Sequence, residues 1–501
     1  MSLLAGLAPG NSFAAVPPTL ASENSAELQK LLQVQQQQGA VVFTNHRPPR
    51  TPSSAFDRLF MWNEVALDTT AIDHTPVQPG EARVFGEQYG PARASRAMAI
   101  VHIAMFEAVN AVTQRYQSYT KLAPVNDDVS LDYAIAQSAH DTLAYLYPSQ
   151  KERLDGILNV DVGHIQGRAG GLAAGRALGV AAANSIIAPR SADGSQTPDP
   201  SVGGPFTPIG GVGHWSPDPV SNLTIYLGAF WSQVRPFTLD ASSQFRPPPP
   251  PPLTDAEYTA AFQQVQAKGG DPRFGTSTDR TAAETVEGIY WSYDGTPALC
   301  APPRLYNQVA RTIVLQRGMN GLPEAARMLA MINTAMADAA IAAWESKWHY
   351  QFWRPVTAIR SAQQNGNAAV TPDPNWVPLG GQATNTRGPN FTPPFPAYVS
   401  GHATIGGALF QVMRHYYPDA TPFTFTSDEW DGINRDINGQ PRPLTPLRFA
   451  TFTEAETQNA ESRIYLGVHW QFDADQGILA GRKVGDWTWD HAFQPVSDRR
   501  Y

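Results

Sequence analysis

Apolar residues along this 501-residue chain fall into blocks at helical spacing, separated by long stretches rich in Gly and Pro. Between Pro91 and Tyr116 the residues Ala97, Ile100, Val101, Ala104, Met105, Ala108 and Val109 recur at the 3.6-residue period of one buried helix face. The same pattern predicts helices over 56–71, 131–147 and 167–188. It returns over 255–267, 276–293, 303–317, 323–352, 403–417, 427–436, 454–466 and 473–489. Alternating strand patterns are scarce and no fixed-period repeat is present, so the fold class is all-α, a multi-helix bundle architecture.

The connections divide the chain. Residues 1–55 read as a loosely ordered N-terminal segment with a glutamine tract at 35–38 and helical potential only in 22–37. Residues 190–219 form a Gly/Pro/Ser-rich loop, and six consecutive prolines at 247–252 favour an exposed polyproline II connection. A further long connection covers 361–394. The expected organisation is therefore an N-terminal helical half over 56–253 and a C-terminal helical half over 254–501, with room for one shared core.

Charge narrows the function classes. A formal net charge of −8 argues against a nucleic-acid partner, for which a basic balance is expected, so any anion site must be a local pocket of cations. The single cysteine, Cys300, rules out intrachain disulfides and a Cys-based zinc site. The first residues lack the cationic and apolar regions of a secretory signal, and no uninterrupted apolar run has bilayer-spanning length. The expectation is a soluble protein without membrane insertion, cytoplasmic or exported by another route.

Three segments of the C-terminal half carry chemistry. In KWHYQFWRP, Lys347 and Arg354 are seven residues apart, which on one continuous helix places both cations on one face before Pro355 stops or kinks it. In FPAYVSGHATIGG, the Ser400-Gly401-His402 run sits at a predicted helix start, where unpartnered N–H groups attract an oxyanion and glycine permits close approach. In ESRIYLGVHWQFDAD, Arg463 and His469 are six apart, so a helix end near Gly467 is needed to bring them together. His469 and Asp473 have the i, i+4 spacing at which a carboxylate orients an imidazole. Arginine forks and a lysine point charge suit a tetrahedral oxyanion, and a histidine adds acid–base chemistry near neutral pH. Taken singly, the cations would be a solvated helix face and His469 a hydrogen-bonded core histidine. Interleaving with Trp344, Trp348, Tyr350, Phe352 and Trp353 argues against a wholly wet surface.

The ordered set K-x6-R-P, S-G-H and S-R-x5-H-x3-D resembles the signature shared by the type 2 phosphatidic acid phosphatase superfamily and the vanadium-dependent haloperoxidases. The flanking text GIYWSYDGTPALCAPPRLYNQ, FWRP, PPFPAY-SGHATIGGALFQ and SRIYLGVHWQFDAD is similar to the chloroperoxidase branch, densely from about Thr281 to Asp475. The resemblance implies two four-helix bundles, with vanadate held by Lys347, Arg354, Ser400, Gly401, His402 and Arg463. It implies that His469 bonds the metal, that His402 accepts a proton from hydrogen peroxide, and that Lys347 polarises the bound peroxide. Asp294 resembles the acid that pairs with Arg463, and Trp344 and Phe395 match the aromatic residues beside a halide. The implied reaction oxidises chloride or bromide with hydrogen peroxide to hypohalous acid, which halogenates a small organic acceptor. A histidine typically replaces Phe395 in the bromoperoxidase branch. Val399 departs from the family, which usually has proline there. The rival on the same scaffold is an acid phosphatase with His469 as nucleophile; an oxyanion-storage protein would not need His402.

Overall fold

The computed structural model describes residues 50–125, 128–386 and 389–496. The expected glutamine-tract helix at 22–37 and most of the N-terminal segment lie outside these residues. Thirteen α-helices dominate the described residues. In the N-terminal half they are α1 (Ala55–Asp73), α2 (Gly90–Thr113), α3 (Leu131–Leu146), α4 (Lys151–Gly163) and α5 (Ala169–Arg190). Then follow α6 (Ala256–Lys268), α7 (Ala282–Tyr290), α8 (Pro302–Arg317), α9 (Gly321–Tyr350) and α10 (Pro355–Arg360). The last three are α11 (Gly401–Tyr416), α12 (Phe452–Tyr465) and α13 (Gln471–His491).

One bundle is formed by α1, α2, α3 and α5, and a second by α9, α11, α12 and α13. The 30-residue α9 joins them, packing on α2 from one side and on α11 and α13 from the other. Every residue of α9 from Ala325 to Trp348 is buried, and its many alanines let both bundles approach closely. One cluster of buried apolar side chains accordingly runs from Leu59 to Phe493. The tightest helix pair positions the site. Gly477, Gly481 and Gly485 repeat at i, i+4, i+8 on α13 against α11, and a Cβ on Gly481 would lie 2.1 Å from the Thr404 carbonyl oxygen. This glycine stripe seats the start of α11 against α13.

Several helix expectations need correction. The 276–293 prediction shrinks to α7, because Thr281 and Glu284 form a capping box that fixes the start six residues later. At 427–436 there is only a three-residue turn, Asp428–Trp430, since Asp431 caps the backbone N–H groups of Ile433 and Asn434 instead. Helix α4 buries Leu154 and packs Ile157, Leu158 and Val162 partly against the core, with the buried Asp161 interrupting that stripe, and α10 is a single short turn starting at Pro355. A two-stranded antiparallel pair, β1 (Phe423–Phe425) with β2 (Leu447–Phe449), also lies in the C-terminal half. Finally, α2 and α5 are long and apolar enough to span a bilayer by length and composition. The apolar window of α2 is 89% buried inside the protein and that of α5 44%.

Candidate active site

Helix α9 ends at Tyr350, where Gln351 takes a left-handed conformation (φ 46°) as its cap. Arg354 is consequently not on that helix but at the N-cap of α10, so the shared-face reading of Lys347 and Arg354 is wrong. The two cations still converge. The Lys347 ammonium and the Arg354 guanidinium each lie 5.0 Å from the centre of the Phe395 ring. Lys347 is fully buried and donates to the carbonyls of Pro396 (3.0 Å), Ala397 (2.8 Å) and Val399. Arg354 donates from Nε to the Phe395 carbonyl (2.9 Å) and from Nη1 to the Val468 carbonyl (2.6 Å) and His469 Nε2 (2.9 Å).

Ser400 caps α11, and Gly401 and His402 form its first turn, as the sequence predicts. A Cβ on Gly401 would meet the Trp344 indole at 3.3 Å, so only a bare backbone fits there comfortably. The Tyr306 hydroxyl (2.9 Å) and Asn459 Nδ2 (3.0 Å) both donate to the His402 carbonyl and pin this turn. The required break between Arg463 and His469 is present: α12 stops at Tyr465, Gly467 has φ +73°, and α13 starts at Gln471. A Cβ on Gly467 would lie 2.6 Å from the Gly269 carbonyl oxygen, so the turn needs glycine on two counts. Arg463 makes a two-pronged pair with Asp294 at 2.7 and 3.1 Å, and Asp294 also accepts from Ser292 Oγ at 2.7 Å.

The two histidines carry their protons on opposite ring nitrogens. His402 Nε2 faces the Ser292 carbonyl at 2.7 Å, and a carbonyl only accepts, so Nε2 holds the hydrogen and Nδ1 the lone pair. His469 Nε2 faces a guanidinium N–H, which only donates, so the lone pair is there. His469 Nδ1–H donates to Asp473 at 2.8 Å. Burial, reinforced by Arg463, pushes the His402 imidazolium down to about 3. Burial and then Arg354 and Lys347 hold His469 well below its ordinary range. Both rings are neutral at neutral pH.

Burial and the neighbouring arginines also depress the Lys347 ammonium, and burial pushes Arg354 down to about 9. Asp473 is pushed up to about 7 by burial. Three cations thus crowd one buried region of an acidic protein. Arg354 Nη2 and Arg463 Nε are buried with no hydrogen-bond partner among the described residues. An unsatisfied buried donor costs about 1–3 kcal/mol, more when charged. Two orphaned guanidinium N–H groups, a helix N-terminus and a histidine lone pair suit a tetrahedral oxyanion able to accept a nitrogen ligand.

A cavity of about 970 Å³, counting its solvent-open mouth, leads to this cradle. Asp294, Trp344, Phe395, Gly401, His402, Arg463 and His469 all line it, while Lys347, Arg354 and Ser400 stand behind that wall. The Trp344 and Phe395 rings are 4.9 Å apart. Sequence reasoning missed Ser292, whose backbone carbonyl meets His402 and whose hydroxyl donates to Asp294. It also missed Leu227, whose carbonyl accepts from the Trp344 indole at 3.1 Å.

Solved structures of vanadium haloperoxidases share this helical fold. A bacterial vanadium-dependent iodoperoxidase superposes with a TM-score of 0.66 at 21% identity, covering 88% of this chain and 98% of its own. A holo-type bacterial vanadium-dependent chloroperoxidase gives 0.62 at 16% identity, covering 89% and 98%. Residues 327–498 match the family model of the VCPO second helical-bundle domain. The vanadium chloroperoxidase of Curvularia inaequalis is 37% identical over 286 residues, 49% of this chain and 46% of that protein. The chain thus matches about half the length of this curated relative.

Proposed function

We propose that the protein is a vanadium-dependent haloperoxidase, using hydrogen peroxide to oxidise chloride or bromide to hypohalous acid that halogenates small organic acceptors. The observation that carries this reading is the pairing of orphaned cationic donors with two neutral histidines whose lone pairs are set by fixed partners. The donor set fits vanadate. Arg354 Nη2, Arg463 Nε, Ser400 and the Gly401 N–H would hold its oxygens with Lys347 close behind them, and His469 Nε2 would ligate the metal. When bound, vanadate supplies Lewis acidity that activates hydrogen peroxide toward halide without a change in its own oxidation state.

The chain's own groups do the rest. Asp473 keeps the His469 proton on Nδ1, so that Nε2 stays basic. His402 Nδ1 accepts a proton from hydrogen peroxide and returns it to the departing oxygen. An anion beside Arg463 offsets the positive charge that depresses His402, moving the imidazole back toward a useful range. Lys347, held by three carbonyls, fixes a positive charge beside the aromatic pair Trp344 and Phe395, where a halide would rest. Phenylalanine at 395, rather than histidine, supports chloride among the halides used.

The test loads the metal-free protein with orthovanadate, adds peroxide with chloride, bromide or iodide, and follows halogenation of an electron-rich dye. Vanadate-dependent turnover with at least one halide is expected. Absence of turnover with all three, together with robust p-nitrophenyl phosphate hydrolysis, would replace this reading with the phosphatase.

A further inference from the structure

Two helices supply different parts of the oxyanion cradle: Ser400, Gly401 and His402 start α11, and Arg463 lies near the end of α12. Behind the cradle Ala403 of α11 and Ala460 of α12 cluster with Ala474 of α13, with Ile478 at the edge. Alanine surfaces permit close approach but present only shallow ridges, so they interlock weakly against sliding. Directional bonds do resist it. The His402 carbonyl accepts from Asn459 Nδ2 at 3.0 Å and from the Tyr306 hydroxyl at 2.9 Å, and that hydroxyl is also 3.0 Å from Asn459 Oδ1. Tyr306 belongs to α8 and Asn459 to α12, so three helices meet at one carbonyl. Asn459 and Tyr306 are both fully buried. Asn459 stands four residues before Arg463, hence on the same face of α12 and one turn away. Space for the bond is reserved: a Cβ on Gly406 would lie 2.5 Å from Asn459 Nδ2 and 3.3 Å from the Tyr306 hydroxyl oxygen.

We infer that Asn459, braced by Tyr306, is a positioning residue for the oxyanion cradle: it locks the helix start at Ser400 and Gly401 in register with Arg463. The inference deepens the vanadate reading of the site and rests on it for the identity of the anion. Arg463 Nε is a buried donor without a partner among the described residues, and the Gly401 N–H belongs to a separate helix. One tetrahedral anion meets both donors only while their separation is held, and a binding constellation weakens when its groups drift by more than about 0.5 Å. Asp294 orients the guanidinium end of Arg463, and Asn459 fixes the helix backbone that carries it. Neither Asn459 nor Tyr306 lines the cavity, so both act through the backbone and not on the anion.

The test measures orthovanadate binding to the metal-free protein by isothermal titration calorimetry, with inorganic phosphate as a second probe and thermal melting as the check on folding. Asn459→Ala should weaken both anions at least about tenfold in a protein that still melts cooperatively. Tyr306→Phe leaves the Asn459 bond in place and should weaken them less. Gly406→Ala supplies a readout that general loosening of the core does not move. Alanine is ordinarily the better helix former, yet here its methyl displaces Asn459 Nδ2, so affinity should fall about as far as in Asn459→Ala. In the Asn459→Ala background the methyl has room, and Gly406→Ala should cost no further affinity. Parent-like affinity in Asn459→Ala, or additive losses in the double variant, would overturn the positioning role, as would a parent that binds neither anion. Should Asn459→Ala fail to fold, Gly406→Ala alone decides, and affinity within about twofold of the parent would overturn the role. A parent that binds orthovanadate through this bracket but oxidises no halide would leave the positioning role standing and refute the haloperoxidase reading instead.

Discussion

Gly228 offers the sharpest test of how the N-terminal half shapes the site. It adopts φ +74°, and a Cβ built on it would lie 2.1 Å from Trp344 Cδ1 and 2.2 Å from Nε1. Carbon atoms rest about 3.5–4.0 Å apart, so Gly228→Ala drives the methyl well into the indole. Trp344 has little room to retreat. It is 1% exposed, its far edge lies 3.3 Å from the Cβ position of Gly401, and its other neighbour is the Phe395 ring. The left-handed backbone costs an alanine about 1 kcal/mol and overpacking a further 1–3 kcal/mol, giving a loss of about 2–4 kcal/mol. Urea unfolding of the single variants Gly228→Ala and Trp344→Ala and of the double variant measures this. With the indole gone, the cost of Gly228→Ala should fall to the backbone part, about 1 kcal/mol. Equal cost in both backgrounds, or a total below about 1 kcal/mol, would refute the clash. In the loaded enzyme the same variant should raise the halide KM if Trp344 has the halide-wall role proposed for it, while orthovanadate affinity stays within about twofold.

Four other outcomes are expected. Asp473→Ala removes the acceptor that fixes the His469 tautomer, so orthovanadate affinity should fall about 10–100-fold in an equilibrium binding assay. His402→Ala should lower halogenation at least about 100-fold while the protein still binds orthovanadate, and unchanged turnover would exclude His402 as the acid–base group. Phe395→His should raise bromide oxidation relative to chloride; unaltered halide ratios would count against the aromatic wall as the selector. Far from the site, His102 is buried between the Met98 carbonyl and Asn63 Nδ2, and burial holds it at about 4. The unfolded chain takes up this proton near pH 6.5 and the folded chain only near 4, so the associated stability is whole above pH 6.5 and is lost as pH falls toward 4. Acid titration of urea midpoints should show a steeper fall for the parent than for His102→Gln.

Local signals in the sequence were enough to place the helix starting after Ser400, the α2 face and the break at Gly467. In each case one short stretch carries both the pattern and its cause. Lys347 and Arg354 show the limit. Seven-residue spacing states where two side chains point only while the helix continues, and Gln351 ends it. The cations meet because the 395–399 segment and α10 fold back, which is a tertiary event. Helix α4 escaped notice because its stripe of Leu154, Ile157, Leu158 and Val162 is short and broken by Asp161. The β1–β2 pairing was hidden by the loop of more than 20 residues between its strands. Nor does any local pattern show that Leu227 and Gly228 will grip Trp344, more than 100 positions away, or that the Ser292 carbonyl will choose the tautomer of His402.

Lys347 has a consequence for how mutational data on this site should be interpreted. Its ammonium binds three carbonyls within the four residues leading to Ser400, so it works as a rivet for the segment that delivers the helix start. Removing it deletes a charge and also sets free the carbonyls of Pro396, Ala397 and Val399, all inside the protein. A loss of activity in Lys347→Met would therefore combine a missing cation with a loosened Ser400–Gly401 cradle. The two contributions separate only if anion affinity and backbone protection, by amide hydrogen exchange over 396–403, are followed in the same protein.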